Sequence, residues 1–103
     1  MRAKPLFLSL LILLLGACGQ NGDDAAGRGK QVYLTECIAC HNIDPARDGT
    51  LGPSVKGASQ ELLEAKVLRG TYPPGYTQKR STALMPAQPK LAPKIPDLAA
   101  FLR

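Results

Sequence analysis

Residues 37–41, Cys37-Ile38-Ala39-Cys40-His41, gather two of the three thiols and the only imidazole of the chain into five positions. Whatever the chain folds into must satisfy that cluster. One His excludes a zinc site built on a His pair and bis-His haem ligation within one chain. A zinc site would also need two further ligands that the sequence does not supply. A thioredoxin-like dithiol would need a strand–helix–strand context, and no alternating strand pattern is present. With 103 residues there is room for one small domain and no partner domain. A chance cluster in a surface turn is the remaining plain reading.

C-x-x-C-H is the attachment sequence of c-type haem. Two thiols add across the two vinyl groups, and the spacing of three places both under one edge of the ring. The adjacent His is then delivered to the iron as proximal ligand. Covalent attachment consumes Cys37 and Cys40, so neither is left for a disulfide.

The third cysteine belongs to an address. Arg2 and Lys4 precede an apolar run from Leu6 to Leu15 broken only by Ser9, followed by Gly16, Ala17 and Cys18. A basic start, a short apolar stretch and small residues describe a secretory signal. The run is half the ~20 residues a membrane span needs. Leu15-Gly16-Ala17-Cys18 resembles the lipobox of bacterial lipoproteins, which implies cleavage before Cys18 and acylation of its sulfur and new amino terminus. Several acyl chains anchor stably where one is marginal. Gly19 rather than Asp after the Cys resembles outer-membrane sorting. The expected organisation is a signal over 1–17, a lipid-anchored tether over 18–23 and a domain over 24–103. Five residues of flexible tether reach ~12 Å, which keeps the domain near the membrane. Loss of Arg2 and Lys4 lowers the formal charge of +5 by two. The remaining basic residues are scattered, so no nucleic-acid partner is expected.

The rest reads as all-α. Asp24 caps an expected helix from about Ala25 to Glu36. Gly27 and Gly29 weaken it by up to ~1 kcal/mol each, so something must require a small residue there. Ser59 caps a second expected helix, Gln60 to Arg69, with Gly70 as terminator and Leu62, Leu63, Val67 and Leu68 as its buried face. Ile95, Leu98, Phe101 and Leu102 share one face of a last helix. Pro93 and Pro96 fit only in or just before its first turn. Three short helices make a thin core. The irregular stretch from Gly70 to Lys94 makes sense if it wraps a large apolar cofactor.

From residue 24 onward the chain resembles the class I cytochromes c. Gly29, Tyr33 and Cys37 reproduce that family's small–aromatic–Cys spacing on the first helix. The resemblance implies that Gly29 lets the C-terminal helix cross closely, with Leu98, Phe101 and Leu102 packed against it. Thr50-Leu51-Gly52-Pro53-Ser54-Val55-Lys56-Gly57 is similar to the family's Gly-Pro segment. The Pro53 carbonyl would then accept from Nδ1–H of His41 and leave Nε2 for iron. Met85, the only Met once Met1 is lost, stands in Leu84-Met85-Pro86, which resembles the axial Met-Pro loop. Its thioether suits ferrous iron and raises the reduction potential relative to His ligation; a core gap-filler is the plain alternative. Ala92 departs from the pattern, standing where a Ser, Thr or Asp cap is usual.

The resemblance implies one haem c, held by Cys37 and Cys40, with His41 and Met85 on the iron. The expected protein is a membrane-tethered electron carrier in the bacterial periplasm, with redox proteins as partners, no small-molecule substrate and no enzymatic activity. Two alternatives stand beside it. One is a haem enzyme or gas sensor with a vacant or labile sixth position; the other is a fixed haem subunit of a larger oxidoreductase. Tyr72, Tyr76, Lys79 and Arg80 fit either contacts to a propionate, the Met sulfur or a partner, or a solvated loop with two packed rings.

Overall fold

The computed structural model describes residues 24–103. The signal over 1–17, Cys18 and the tether up to residue 23 lie outside the described residues. Helix α1, Ala25–Glu36, begins where the capping argument placed it. Asp24 is extended, with φ −78° and ψ 167°, and its carboxylate accepts from the Gly27 N–H at 2.7 Å. That satisfies one of the orphan donors of the first turn. At the other end Cys37 N–H closes on Tyr33 O at 3.0 Å, and His41 N–H reaches back to Cys37 O at 2.9 Å. The C-x-x-C-H residues therefore occupy the turn that leaves α1, held by backbone bonds to its last residues.

Helix α3, Ile95–Leu102, crosses α1 at Gly29. A Cβ added at Gly29 would collide with the Asp97 carbonyl and lie 2.9 Å from the Phe101 Cβ. The glycine that costs α1 its propensity is what allows the two backbones to meet. Beside it the Tyr33 and Phe101 rings pack with centroids 5.5 Å apart, tilted by 46°. Ile95, Leu98, Ala99 and Leu102 are buried. Phe101 is only half-buried, and Ala99 completes the inward face in its place. Before α3, Pro89–Lys94 forms a 3₁₀ helix that buries Leu91, where the sequence reading had irregular chain. Pro96 lies in the first turn of α3, whose N-terminus has no side-chain cap; the helix is entered through the 3₁₀ turn instead.

One ion pair closes the crossing. Arg28 Nε donates to Asp97 Oδ2 at 2.9 Å, and Nη2 donates to Oδ1 at 3.1 Å. The Arg28 hydrogen bond holds the Asp97 carboxyl below its usual range, against desolvation and with help from the Arg28 and Lys94 charges. A depressed carboxyl stabilises the fold above its unfolded pKa, and that stabilisation disappears as pH falls through the folded value. Asp97→Asn is therefore expected to lower the unfolding midpoint at pH 7 and to leave it nearly unchanged at pH 2. Thermal unfolding followed by circular dichroism at both pH values checks this, and an equal loss at pH 2 would refute the ion-pair account.

The middle of the chain departs from the regular helix expected over Gln60 to Arg69. Helix α2, Gln60–Leu63, is capped by Ser59, whose hydroxyl accepts from Leu62 N–H at 3.0 Å. From Glu64 to Leu68 the backbone widens into a π-helix. Two of its carbonyls are claimed from outside the helix: Thr71 N–H donates to Ala65 O and Gln88 N–H to Val67 O. Val67 O lies in the last turn, beyond the reach of the helix's own N–H groups, and the Gln88 N–H satisfies it instead. Gly70, at φ +69°, ends the segment with its N–H on Lys66 O, as an αL cap does. Leu63 and Val67 are buried, while Leu62 and Leu68 are half-buried. The core is Tyr33, Leu63, Val67, Leu91, Ile95, Leu98, Ala99 and Leu102. Among the described residues there is no strand, and no helix is long and apolar enough to cross a membrane.

Candidate haem-binding site

The loop after His41 is stitched back onto the C-x-x-C-H turn. Cys40 O accepts from Leu51 N–H at 3.3 Å and from Gly52 N–H at 2.9 Å, and Gly49 N–H donates to Gly52 O at 2.8 Å. Pro45 O accepts from both Val55 N–H and Lys56 N–H, at 2.8 and 2.9 Å. Tyr33, buried in the core, extends its hydroxyl to Asn42 O. Inside this frame Pro53 O lies 2.8 Å from His41 Nδ1. A carbonyl can only accept, so Nδ1 carries the proton and, in the neutral ring, Nε2 carries the lone pair. The ring is thus held in the tautomer that can bind a metal through Nε2. Gly52 seats it: a Cβ there would lie 2.6 Å from Nδ1 and 2.8 Å from Nε2. Any side chain at residue 52 would push the imidazole away.

Cys37 and Cys40 are both half-buried and unpaired. Burial pushes the Cys37 thiol up to about 11, with a smaller contribution from the Glu36 charge. Met85 is half-buried and packs against the core cluster, as do Val32, Val55, Ala58 and Leu68. Leu84 beside it is 66% exposed, and Leu51 and Ile38 are also exposed. Among the described residues no three His, Cys, Asp or Glu side chains group as a metal site would require. The donors on offer are two thiols, one imidazole and one thioether, with apolar side chains half-exposed around the core. That set fits an iron porphyrin held by thioethers, and it fits a tetrahedral zinc poorly.

The loop bearing Met85 is tied to the His41 side of the molecule. Lys79 Nζ donates to Ser54 O at 2.8 Å and lies 3.4 Å from the Ser54 hydroxyl. Tyr72 and Tyr76 stack on each other at 5.4 Å, 6° from parallel, and Lys66 Nζ lies 4.4 Å from the centre of the Tyr72 ring. Sequence reasoning singled out Pro53, Cys37, Cys40, His41 and Met85. It passed over Gly52 as a seat for the ring, the Tyr33 hydroxyl, and Asp48, whose carboxylate accepts from Ser54 N–H at 2.9 Å. Gly52 was visible only as part of the Gly-Pro segment; the other two carry no local signal.

A strand-free helical domain whose C-x-x-C-H turn is held on the end of its first helix has the architecture of a haem-carrying electron-transfer domain. The family model for cytochrome c matches residues 26–103, and the chain belongs to that family. No curated protein and no solved structure gives a significant match to the chain. Membership brings an all-α cytochrome c fold, covalently bound haem c and electron transfer through haem as the family's general activity.

Proposed function

We propose that this chain is a monohaem electron carrier of class I, tethered through lipid on Cys18 to the periplasmic side of a bacterial membrane. Cys37 and Cys40 form the thioethers, His41 and Met85 bind the iron, and Pro53 orients His41. The observation that carries this reading is the Pro53 O···His41 Nδ1 contact of 2.8 Å over the Gly52 seat, which leaves Nε2 as the only nitrogen free to bind. When bound, haem supplies one-electron exchange between Fe(II) and Fe(III).

The residues around it have no acid–base work to do. His41 is fixed by its carbonyl partner and does not move a proton. Pro86, lacking an N–H, restricts Met85 to extended backbone. The bonds from Lys79 to Ser54 tie the chain six residues before Met85 to the segment that holds His41. Two retained ligands keep reorganisation small, which suits a carrier. The partners are redox proteins.

The optical spectrum of the reduced, purified protein with and without carbon monoxide tests the reading. A low-spin c-type spectrum indifferent to the gas is expected. A spectrum that shifts with the gas would mean an open or labile sixth position, overturn the carrier reading and favour an enzyme or sensor. Met85→Ala should convert the protein to the gas-sensitive form and lower its reduction potential, since a thioether favours ferrous iron. An unchanged spectrum and potential in that variant would remove Met85 from the iron.

A further inference from the structure

Asp48 binds nothing in the reading above, yet its carboxylate is bonded to the peptide that holds His41. Ser54 N–H donates to Asp48 Oδ1 at 2.9 Å. The other end of that peptide unit is the Pro53 carbonyl, which accepts from His41 Nδ1 at 2.8 Å. The amide is conjugated, so N–H and C=O are electronically one group. Donation of its N–H to an anion is a charge-assisted bond and shifts electron density towards the carbonyl oxygen. Bonds in such a chain strengthen one another.

The surroundings keep this relay separate from its neighbours. Asn42 Nδ2 lies 3.3 Å from Asp48 O, so the Asp48 backbone is anchored to the residue after His41. Lys79 reaches this segment from the Met85 loop and bonds to Ser54 O and the Ser54 hydroxyl, on the following peptide, while Lys56 Nζ donates to Arg103 O; neither bond is to Pro53 O. Asp44, in the same loop, spends its carboxylate on Ala46 N–H at 3.0 Å. Of these carboxylates, Asp48 is the one on the His41 peptide.

We propose that Asp48, acting through the Pro53–Ser54 peptide, strengthens the carbonyl that accepts from His41, makes His41 a more electron-rich ligand and so lowers the reduction potential of the haem-loaded protein. The proposal rests on His41 being the proximal ligand. Asp48 is a positioning and tuning residue: it touches neither iron nor porphyrin. A more basic imidazole favours the ferric state, which sets the sign.

The test is Asp48→Asn in the full, haem-loaded chain, read by redox titration and by the proton resonance of His41 Nδ1–H in the reduced state. Asn keeps a neutral acceptor for Ser54 N–H and removes the charge. The expected result is a rise of about threefold in the ferrous-to-ferric ratio at a fixed applied potential, or roughly 28 mV, with the Nδ1–H resonance moving upfield as its hydrogen bond weakens. Asp48→Ser, which also keeps a short neutral acceptor, should shift both in the same direction and serves if the Asn variant does not fold. Asp44→Asn is the charge control, expected to leave the Nδ1–H resonance in place. Unmoved potential and resonance in the Asp48 variants would overturn the proposal while leaving His41 ligation intact. So would an equal shift of both readouts in Asp44→Asn, which would make the effect one of charge alone. A wild-type reduced spectrum without a bound His would overturn the ligand assignment itself, and the relay with it.

Discussion

Replacing both Cys37 and Cys40 with Ala is expected to leave no haem with the polypeptide after acid–acetone extraction, whereas the parent protein keeps all of it. The two thiols sit on the turn that leaves α1, unpaired and half-buried. No third thiol occurs among residues 24–103, since Cys18 lies before the domain. His41 and Met85 remain in the double variant, so some haem could still bind without a covalent bond. Colour alone is therefore a poor readout, and extraction is the decisive one. The variant should also be less stable, because the half-buried Val32, Val55, Ala58, Leu68 and Met85 around the core would lose a permanently attached apolar cover. Haem retained on the double variant through extraction would contradict the attachment assignment. Retention by either single variant would not, because one thioether suffices to hold the ring.

The second large effect is expected at Gly29. Two terms oppose each other when it becomes Ala. Helix propensity alone would favour the substitution by ~1 kcal/mol. Against that, the new Cβ would occupy the space of the Asp97 carbonyl and crowd the Phe101 Cβ. A backbone carbonyl cannot rotate away as a side chain can, so α3 must shift as a unit. Overpacking a well-packed contact costs about 1–3 kcal/mol and more when backbone has to move. The shift would also strain the Arg28–Asp97 pair and the Tyr33–Phe101 contact, which lie at the same crossing. A net loss of about 2 kcal/mol or more is expected, and in a domain of this size that lowers the unfolding midpoint by roughly 8–16 °C. Thermal unfolding of Gly29→Ala measures it. A midpoint equal to or above that of the parent would mean that the helices do not meet at Gly29.

Much of this could be read along the chain because it is decided by near neighbours. Asp24 and Ser59 cap their helices through bonds to residues three positions away, and the C-x-x-C-H cluster announces its chemistry by spacing. Gly29 was visible as an anomaly, a costly residue in a helix interior, and the family resemblance named the crossing that requires it. The pairing of Pro53 with His41 was likewise named from the Gly-Pro segment, and the carbonyl lies 2.8 Å from the ring nitrogen.

The tertiary structure alone decided the rest. The π-helix over Glu64–Leu68 carries no local signal, and the Val67 carbonyl in its last turn is met by Gln88 N–H, a bond between segments that only folding brings together. The bond from Lys79 to Ser54 spans 25 positions, and the Arg28–Asp97 pair spans 69. The Gly52 seat and the Asp48–Ser54 bond depend on how the loop from 42 to 54 folds back on itself. Caps and motif spacings depend on bonds within a few residues, where side-chain identity restricts the outcome. Which polar groups meet across the domain depends on how the helices pack, and no local pattern of residues encodes it.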